Sequence, residues 1–185
     1  MLCCQEPHLE LRGNADTFSL TQRTGRMGSI AFSEFVTAAD VFMDSGDHCS
    51  GYRINVVQSG RLKSIHSKLS LCAGAGTVAV YQPDGYGAAH WTADSRMLGV
   101  KIDRAAVDDA LSEALGRSLK SQVDFTPVTP VAAAPTRSWV NMLMLFADQF
   151  SRPDSLLRQP LVAGPYVDSL VRGFLLAIDH RIAKP

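Results

Sequence analysis

The sequence predicts an α+β fold in which a β-rich region is followed by amphipathic helices. From about residue 28 to residue 102 the chain runs in short segments rich in Val, Ile, Tyr and Phe that glycines interrupt, which is typical of compact β-structure. From Asp103 onward the apolar residues recur three and four positions apart, which is the period of a helix that buries one face. We therefore place an N-terminal extension at 1–16, a β-domain at 17–103 and a helical region at 104–185.

Five segments of the β-domain are predicted as strands. They span residues 29–36, 52–58, 61–67, 77–82 and 96–102. Successive side chains of a strand point to opposite faces of its sheet. The segment 52–58 therefore has two faces, formed by Tyr52, Ile54 and Val56 on one side and by Arg53, Asn55 and Val57 on the other. Turns are predicted at Ser59-Gly60, at 72–76 and at 83–85, where proline fixes φ and glycine allows a positive φ.

Three helices are predicted after the β-domain. The first begins behind Asp103, which can cap the leading amides, and it ends at Gly116. Residues 117–137 contain several prolines and are predicted as a connector. The second helix carries an apolar stripe of Trp139, Met142, Leu143, Phe146 and Phe150. The third, from about 160 to 182, carries Val167, Leu170, Val171, Phe174, Leu175 and Ile178. These stripes are expected to pack against the β-domain, and Leu170, Phe174 and Ile178 are also expected to form a homodimer seam.

Composition limits the function classes. Lys and Arg together number 18, as do Asp and Glu, so no excess of positive charge is present to bind DNA phosphates and direct DNA binding by these residues is not expected. No apolar run reaches the roughly 18 residues of a membrane span, and the first residues lack the pattern of a signal peptide. The cysteines, which are Cys3, Cys4, Cys49 and Cys72, show neither metal-ligand nor disulfide spacing. We predict reduced thiols in a cytoplasmic protein that makes no contact with a membrane.

Motifs for catalysis are missing from the sequence. The histidines are His8, His48, His66, His90 and His180, and no two of them form the His-x-His pair that a strand-borne metal site would use. No Gly-x-Ser-x-Gly motif is present, and Gly74-Ala-Gly76 lacks the third glycine of a dinucleotide fingerprint. The sequence therefore predicts no enzyme, no catalytic residue, no metal and no cofactor.

Bulky amphipathic residues do stand out in the β-domain. A ligand pocket is usually apolar and aromatic with a few placed polar groups, and a small β-barrel can hold one small molecule. The residues predicted to line such a pocket are Tyr52, Ile54, His66, Tyr81, His90, Trp91 and Arg96. The alternative for each of them is an ordinary place in the core or at its rim, because one residue of register slip reverses every face.

The order of these segments resembles a known family. The series consists of the segment Tyr52 to Gly60, the turn 71–76, the strand from Val78 to Tyr81 with Pro83 behind it, and the segment 96–102 that leads into a helix. It resembles the N-terminal effector-binding domain of AraC/XylS-family transcription regulators over roughly residues 17–182. The later helices fit the same order, and the match consists of an ordered series of patterns with no single specific motif.

The resemblance implies a cupin-like β-barrel or jelly roll that binds a small effector, followed by helices that mediate dimerisation. In that family a C-terminal domain of two helix-turn-helix units reads the DNA. The 185 residues end where the resemblance places the linker to that domain, so an excised sensing domain is expected. Two alternatives stay open, a metal-dependent cupin enzyme and a pure dimerisation module without a ligand.

Overall fold

The computed structural model describes residues 8–12, 19–48, 51–118 and 122–182. Cys3, Cys4 and Cys49 lie outside these residues, and Cys72 is a free, exposed thiol. The strands are β1 (His8–Arg12), β2 (Leu20–Met27), β3 (Ile30–Thr37), β4 (Asp40–His48), β5 (Gly51–Ser59), β6 (Arg61–His66), β7 (Leu69–Gly74), β8 (Thr77–Tyr81), β9 (Gly85–Trp91), β10 (Ser95–Asp103), β11 (Val123–Phe125), β12 (Val128–Pro130) and β13 (His180–Ile182). The helices are α1 (Arg104–Leu115), α2 (Ala134–Phe150), a short 3-10 helix (Leu156–Arg158) and α3 (Pro160–Ala177).

The described strands form two large antiparallel sheets that face each other and a small two-stranded sheet of β11 and β13. The five-stranded sheet has the order β1-β4-β9-β6-β7, and the six-stranded sheet has the order β12-β8-β5-β10-β3-β2. Phe35 of the six-stranded sheet contacts Trp91 of the five-stranded sheet, with ring centroids 4.7 Å apart. The helices cover the other face of the six-stranded sheet. The predicted α+β class, a cupin-like β-domain followed by helices, is confirmed by this three-layer arrangement.

The larger of two apolar cores lies between the six-stranded sheet and the helices. Ile54 of β5 and Ile102 of β10 are fully buried there against the helical stripes. Tyr52 donates a hydrogen bond from its hydroxyl to the backbone oxygen of Val123 at 3.0 Å. Trp139 of α2 donates its indole hydrogen to the backbone oxygen of Leu170 in α3 at 2.9 Å. Both of these buried donors thus have an acceptor, as a desolvated donor requires.

The helix ends agree with the sequence at α1 and differ at α3. Gly116 follows α1 in the left-handed conformation at φ 64°, as predicted for a glycine that ends a helix. Asp103 stands at the N-cap position but makes no capping hydrogen bond with its side chain. The prediction that α3 reaches residue 182 is wrong. Ile178 is already extended, and His180–Ile182 pair with β11 as a strand, so backbone pairing replaces the last helical turn.

The sheets also take up segments that the sequence assigned elsewhere. Residues 8–12, placed in the N-terminal extension, pair with β4. Within the predicted connector 117–137, Val128–Pro130 join the six-stranded sheet beside β8. The same connector also holds the start of α2 at Ala134. The β-domain and the helical region therefore share a sheet and are not separate along the chain.

Besides β1 and β12, four strands of the two large sheets are not among the predicted strands. They are β2, β4, β7 and β9. β9 has the sequence Gly-Tyr-Gly-Ala-Ala-His-Trp, whose glycines and alanines lower its intrinsic strand preference. β2 lies at the sheet edge, and most of its side chains are exposed, so it shows no apolar alternation. Pairing with neighbours, not local preference, makes these segments strands. None of the described helices is long and apolar enough to cross a membrane.

Candidate ligand-binding cavity

A cavity of about 610 Å³ lies between the two sheets. Its walls come from β2, β3, β5, β8 and β10 on one side and from β4, β6 and β9 on the other. The cavity is open along the edge strand β2, whose lining residues Gln22, Thr24 and Arg26 are exposed. Gly87, Ala88 and Ala89 of β9 form part of the opposite wall, where the missing or small side chains take up little space. The composition that hides β9 from sequence analysis therefore leaves room inside the sandwich.

One row of residues across the six-stranded sheet carries positive charge. Arg26 of β2 pairs with Ala31 of β3, and Ala31 pairs with Lys101 of β10. Lys101 in turn pairs with Arg53 of β5, and Arg53 pairs with Tyr81 of β8. All five residues line the cavity. Because cross-strand partners place their side chains on the same face, three cations and a phenol stand in one line along this wall.

The next rows along the same strands become progressively less polar. Two residues away, Ser33 and Asn55 face the cavity with Gly99 between them. A further two residues along, Phe35 pairs with Met97. Both of these side chains are buried, and they belong to the smaller apolar core. The six-stranded wall therefore runs from a charged end to an apolar end.

The five-stranded wall repeats this gradient. Trp91 lies at the apolar end, where its indole hydrogen points to the sulfur of Met97 at 3.2 Å. Ser64 lies in the middle, and its hydroxyl shares a 2.8 Å hydrogen bond with the Tyr81 hydroxyl of the opposite wall. His66 lies toward the charged end, with its ring centroid 5.7 Å from that of Tyr81. The two walls are thus matched, apolar facing apolar and polar facing polar.

The titratable groups of the cavity respond to burial. Burial raises the pKa of the Tyr81 phenol above its usual value, although hydrogen bonds from Ser64 and Asn55 act in the opposite direction. Burial also lowers the pKa of the His66 imidazole, and the positive charge of Arg53 adds to that lowering. Both shifts therefore favour the neutral form, since charging either group in the cavity would cost solvation free energy. The fixed charge at this end of the cavity comes from the cationic row.

Three of the predicted pocket residues lie in the cavity wall. They are His66, Tyr81 and Trp91. Tyr52 and Ile54 do not lie there, because the face of β5 that holds them is buried against the helices. The alternation of β5 predicts two faces, but the face predicted to line the pocket is the one that packs against the helices. Arg53 and Asn55 are the β5 residues that line the cavity.

His90 and Arg96 are also placed outside the cavity. His90 alternates with Trp91 along β9 and points out of the sandwich, where its Nε2 lies 3.4 Å from a carboxylate oxygen of Asp40. Arg96 is exposed on β10, beside a register shift between it and Met97. Both predictions fail on the register, which depends on which neighbour each strand pairs with. Tyr86, on the same strand as His90, is also exposed and donates its hydroxyl hydrogen to the Asp44 carboxylate at 2.8 Å.

Sequence reasoning missed the charged residues of the wall. Arg53 and Lys101 were each in a predicted strand, but a charged residue in an alternating strand is usually a solvent-facing one. Their pairing across β5 and β10 is the signal that brings them together, and it requires the sheet order. Glycine at position 99, between Ser33 and Asn55, was a second signal, since a glycine inside a strand often marks a close approach.

The predicted dimer residues lie inside the chain. Leu170 and Phe174 are 0% exposed and Ile178 is 1% exposed, all within the core between the helices and the six-stranded sheet. Phe174 contacts Phe125 at 4.3 Å and Trp139 at 5.4 Å between ring centroids. These three side chains therefore present no surface to a second copy in this arrangement, which corrects the prediction. The apolar stripe of α3 is buried by packing within the chain.

Among the residues that the structure describes, no three His, Cys, Asp or Glu side chains are grouped closely enough to hold a metal ion. The side chains of His8 and His48 are not described. His180 lies apart from the cavity, where its ring contacts Phe125.

A β-sandwich with an inner cavity and a helical layer on one face defines a domain of the cupin-like class. The chain belongs to the family of AraC-binding-like domains, whose model matches residues 3–176. Among curated proteins it is similar to the probable thc operon regulatory protein of Rhodococcus erythropolis, at 23% identity over 181 residues. That match covers 94% of this chain and 54% of the relative, so the chain spans about half of the relative's length.

Solved structures show the same likeness. The structure of the AraC-like transcriptional activator CuxR superposes with a TM-score of 0.62 at 10% identity, over 97% of this chain and 64% of CuxR. A cupin superfamily protein from Desulfitobacterium hafniense gives a TM-score of 0.41 at 12% identity, over 51% of this chain and 83% of that protein. The likeness to CuxR shows a shared fold. CuxR is named as a transcriptional activator and the Rhodococcus relative as a probable operon regulatory protein.

Proposed function

We propose that this chain is the effector-binding domain of an AraC-type transcription regulator and that a small molecule binds in the cavity between its sheets. The single observation that carries the proposal is the cavity itself. At about 610 Å³ it falls within the size range of ligand pockets, and its lining combines aromatic and apolar side chains with polar and charged ones. The alternative of a pure dimerisation module, with its β-domain packed solid, does not account for a cavity of this size.

Signal transfer would run through the six-stranded sheet. Strand β5 supplies Arg53 to the cavity and the adjacent Tyr52 to the helical core. Strand β10 supplies Lys101 to the cavity and the adjacent Ile102 to that core in the same manner. A ligand that binds two arrangements of this sheet with different affinity would shift the helices with it. We propose this shift as the output of the domain.

The remaining parts of the proposal concern partners and location. We propose that the output reaches DNA through a helix-turn-helix region outside these 185 residues, in a homodimeric protein of the cytoplasm. Membership of the AraC-binding-like family supports the first part, as does the equal number of acidic and basic residues in the chain. If α3 takes part in a dimer, exposed residues such as Leu161 and Leu176 must form the contact, because its inner face is buried. Sedimentation of a Leu176→Glu variant tests that part.

The test of ligand binding is a thermal-shift and calorimetry screen of small metabolites on the 185-residue chain. A matched pair of variants connects any hit to the cavity. Ala89→Leu places a larger side chain in the cavity wall and so narrows the cavity. Ala134→Leu adds the same side chain at an exposed position in the first turn of α2. We expect a hit to be lost in Ala89→Leu and retained in Ala134→Leu. A screen without heat or shift, or a hit that Ala89→Leu binds equally well, would contradict the proposal.

The metal-dependent cupin enzyme remains the second candidate class. Elemental analysis of the purified chain separates the two. Stoichiometric iron, manganese or zinc would favour the enzyme, and its absence together with a ligand hit would favour the sensor. The structural observation that bears on this choice is that no three His, Cys, Asp or Glu side chains of the described residues are grouped closely enough to hold a metal ion.

A further inference from the structure

The charged end of the cavity contains two cations on neighbouring strands. Arg53 and Lys101 are direct cross-strand partners of β5 and β10, both half-buried and both lining the cavity. Like charges placed directly opposite each other on one sheet face disfavour the folded state. Arg26 adds a third positive charge to the same row, and this charge is partly balanced by an ion pair with Asp103. Among the described residues that line the cavity, none is an aspartate or a glutamate.

This excess of positive charge selects the sign of a ligand. A guanidinium presents a fork of donors that matches a carboxylate or phosphate, and an ammonium adds a compact point charge. Neutral donors stand beside them, namely the phenol of Tyr81, which is the cross-strand partner of Arg53, and the amide of Asn55 on the same strand. The arrangement is suited to an anionic group and opposes a cationic one.

The other end of the cavity selects an apolar body. Phe35 and Trp91 contact each other at 4.7 Å between ring centroids, and Met97 lies beside both. Met97 precedes Lys101 by four residues on β10. Four residues of a strand span about 13 Å along the backbone. The long side chains of Arg53 and Lys101 shorten the distance between their charged groups and the apolar end, which then matches roughly the length of an arylalkanoic acid.

We infer that the cavity takes a small organic anion, with its carboxylate or phosphate at Arg53 and Lys101 and its apolar ring against Phe35 and Trp91. The inference rests on the proposed function and specifies the ligand class of that same cavity. The cationic row, its distance from the apolar end and the apolar end itself all follow from the sheet register. An organic cation lacks the anionic group that the cationic row selects, and an uncharged sugar does not provide the anionic group together with the apolar ring.

The test uses a matched series of ligands that differ in charge on one apolar body. The series is 2-naphthylacetate, its neutral amide 2-naphthylacetamide, the cation 2-(2-naphthyl)ethylammonium and the phosphate ester 2-naphthyl phosphate. A shorter acid, 3-phenylpropanoate, and its amide repeat the comparison for a smaller ring. Calorimetry on the 185-residue chain measures each affinity. We expect at least one anion to bind with an affinity on the order of tenfold or more above its amide, and the cation to show no binding. The two anionic heads decide between a carboxylate and a phosphate source.

Variants assign the effect to the cationic row. Arg53→Met and Lys101→Met remove one charge each while keeping an apolar side chain, and Lys63→Met removes an exposed charge on β6 outside the cavity lining. We expect anion affinity to fall on the order of tenfold in the first two and to stay unchanged in the third. Lys101→Arg, which keeps the charge, should retain binding, and this variant serves as the check if Lys101→Met folds poorly.

The outcomes separate the two proposals. If amides bind as tightly as acids, or if Arg53→Met and Lys101→Met both leave anion binding unchanged, the anion inference is overturned while ligand binding in the cavity stands. If no member of either series binds, the anion inference is overturned, and the metabolite screen alone then decides the proposed function.

Discussion

Arg26 donates to the carboxylate of Asp103 across 2.6 Å, and this pair joins the edge of the cavity to the start of α1. Asp103 stands where the sequence predicts a helix cap, yet its carboxylate is directed to Arg26 and makes no capping bond with the helix. The carboxylate at the N-cap position of α1 is therefore paired with Arg26, a residue of the cavity lining, and does not cap the helix. The charge of Arg26 is partly balanced from outside the cavity.

This pair leads to a prediction about ligand affinity. Replacing Asp103 by Asn keeps the shape of the side chain but removes the charge that balances Arg26. We expect 2-naphthylacetate to bind a few-fold more tightly, because Arg26 becomes available to an anion in the cavity. Because the Arg26 and Asp103 side chains are 56% and 31% exposed, the loss of stability should stay below about 1 kcal/mol. Calorimetry gives the affinity, and Glu113→Gln, which breaks an exposed pair with Arg172, is the matched control. A weaker affinity in Asp103→Asn would contradict the expectation.

A second prediction concerns the contact of α3 with α2. A Cβ added at Gly173 would lie 2.9 Å from Cδ1 of Trp139, a ring that is held in place by its bond to Leu170. Alanine is favoured over glycine in a helix by about 1 kcal/mol, whereas overpacking costs about 1–3 kcal/mol. We expect Gly173→Ala to lower the free energy of unfolding by on the order of 1 kcal/mol in urea denaturation. Ser169→Ala, at an exposed position of the same helix, should leave it unchanged or slightly raised. Equal changes in the free energy of unfolding for the two substitutions would contradict the prediction, because they would show that the Trp139 ring can shift to accommodate the added methyl group.

A third prediction separates the two faces of β5. Tyr52 is fully buried on the helical side, and burial raises its pKa to about 12. Tyr52→Phe removes the hydrogen bond to the Val123 oxygen, and we expect a loss of about 1 kcal/mol of stability. Because the side chain does not line the cavity, the affinity for a cavity ligand should not change. A tenfold loss of affinity with unchanged stability would reverse the assignment of the faces.

A fourth prediction concerns pH. Burial lowers the pKa of His66 below its ordinary value of 6.5. In the unfolded chain this imidazole therefore takes up a proton before it does in the folded chain, and stability falls as the pH drops below about 6.5. His66→Gln should show a weaker fall than the unmodified chain between pH 7.5 and 5.5, with a difference in slope of at most about 1.4 kcal/mol per pH unit. Urea denaturation at several pH values provides the measurement. Identical slopes for the two chains would exclude a role for His66.

The sequence predicted the layers of this fold better than its cavity. Apolar periodicity placed Trp139 and Phe174 on helices correctly, because a helical stripe is determined by local spacing. The alternation of β5 separated Tyr52 from Arg53 correctly but could not show which face meets the helices. That choice depends on the order of strands in the sheet, and sheet order is set by contacts between residues far apart in the sequence.

The same dependence explains the missed strands. The edge strand β2 and the alanine-rich β9 become strands by pairing with neighbours, so no pattern within either segment reports them. Ile178 shows the converse case. Its place in the helical stripe of α3 is correct as to burial, yet its backbone is extended because the chain turns there toward β11.

The position of β12, a strand of the helical region, has a consequence for how the molecule unfolds. β12 pairs with β8 and so completes the six-stranded sheet that lines the cavity. Neither the β-domain nor the helical region keeps its full set of backbone partners when the other is lost. Unfolding of the helical layer should therefore expose the β-sandwich in the same event, as one cooperative unit with a single transition.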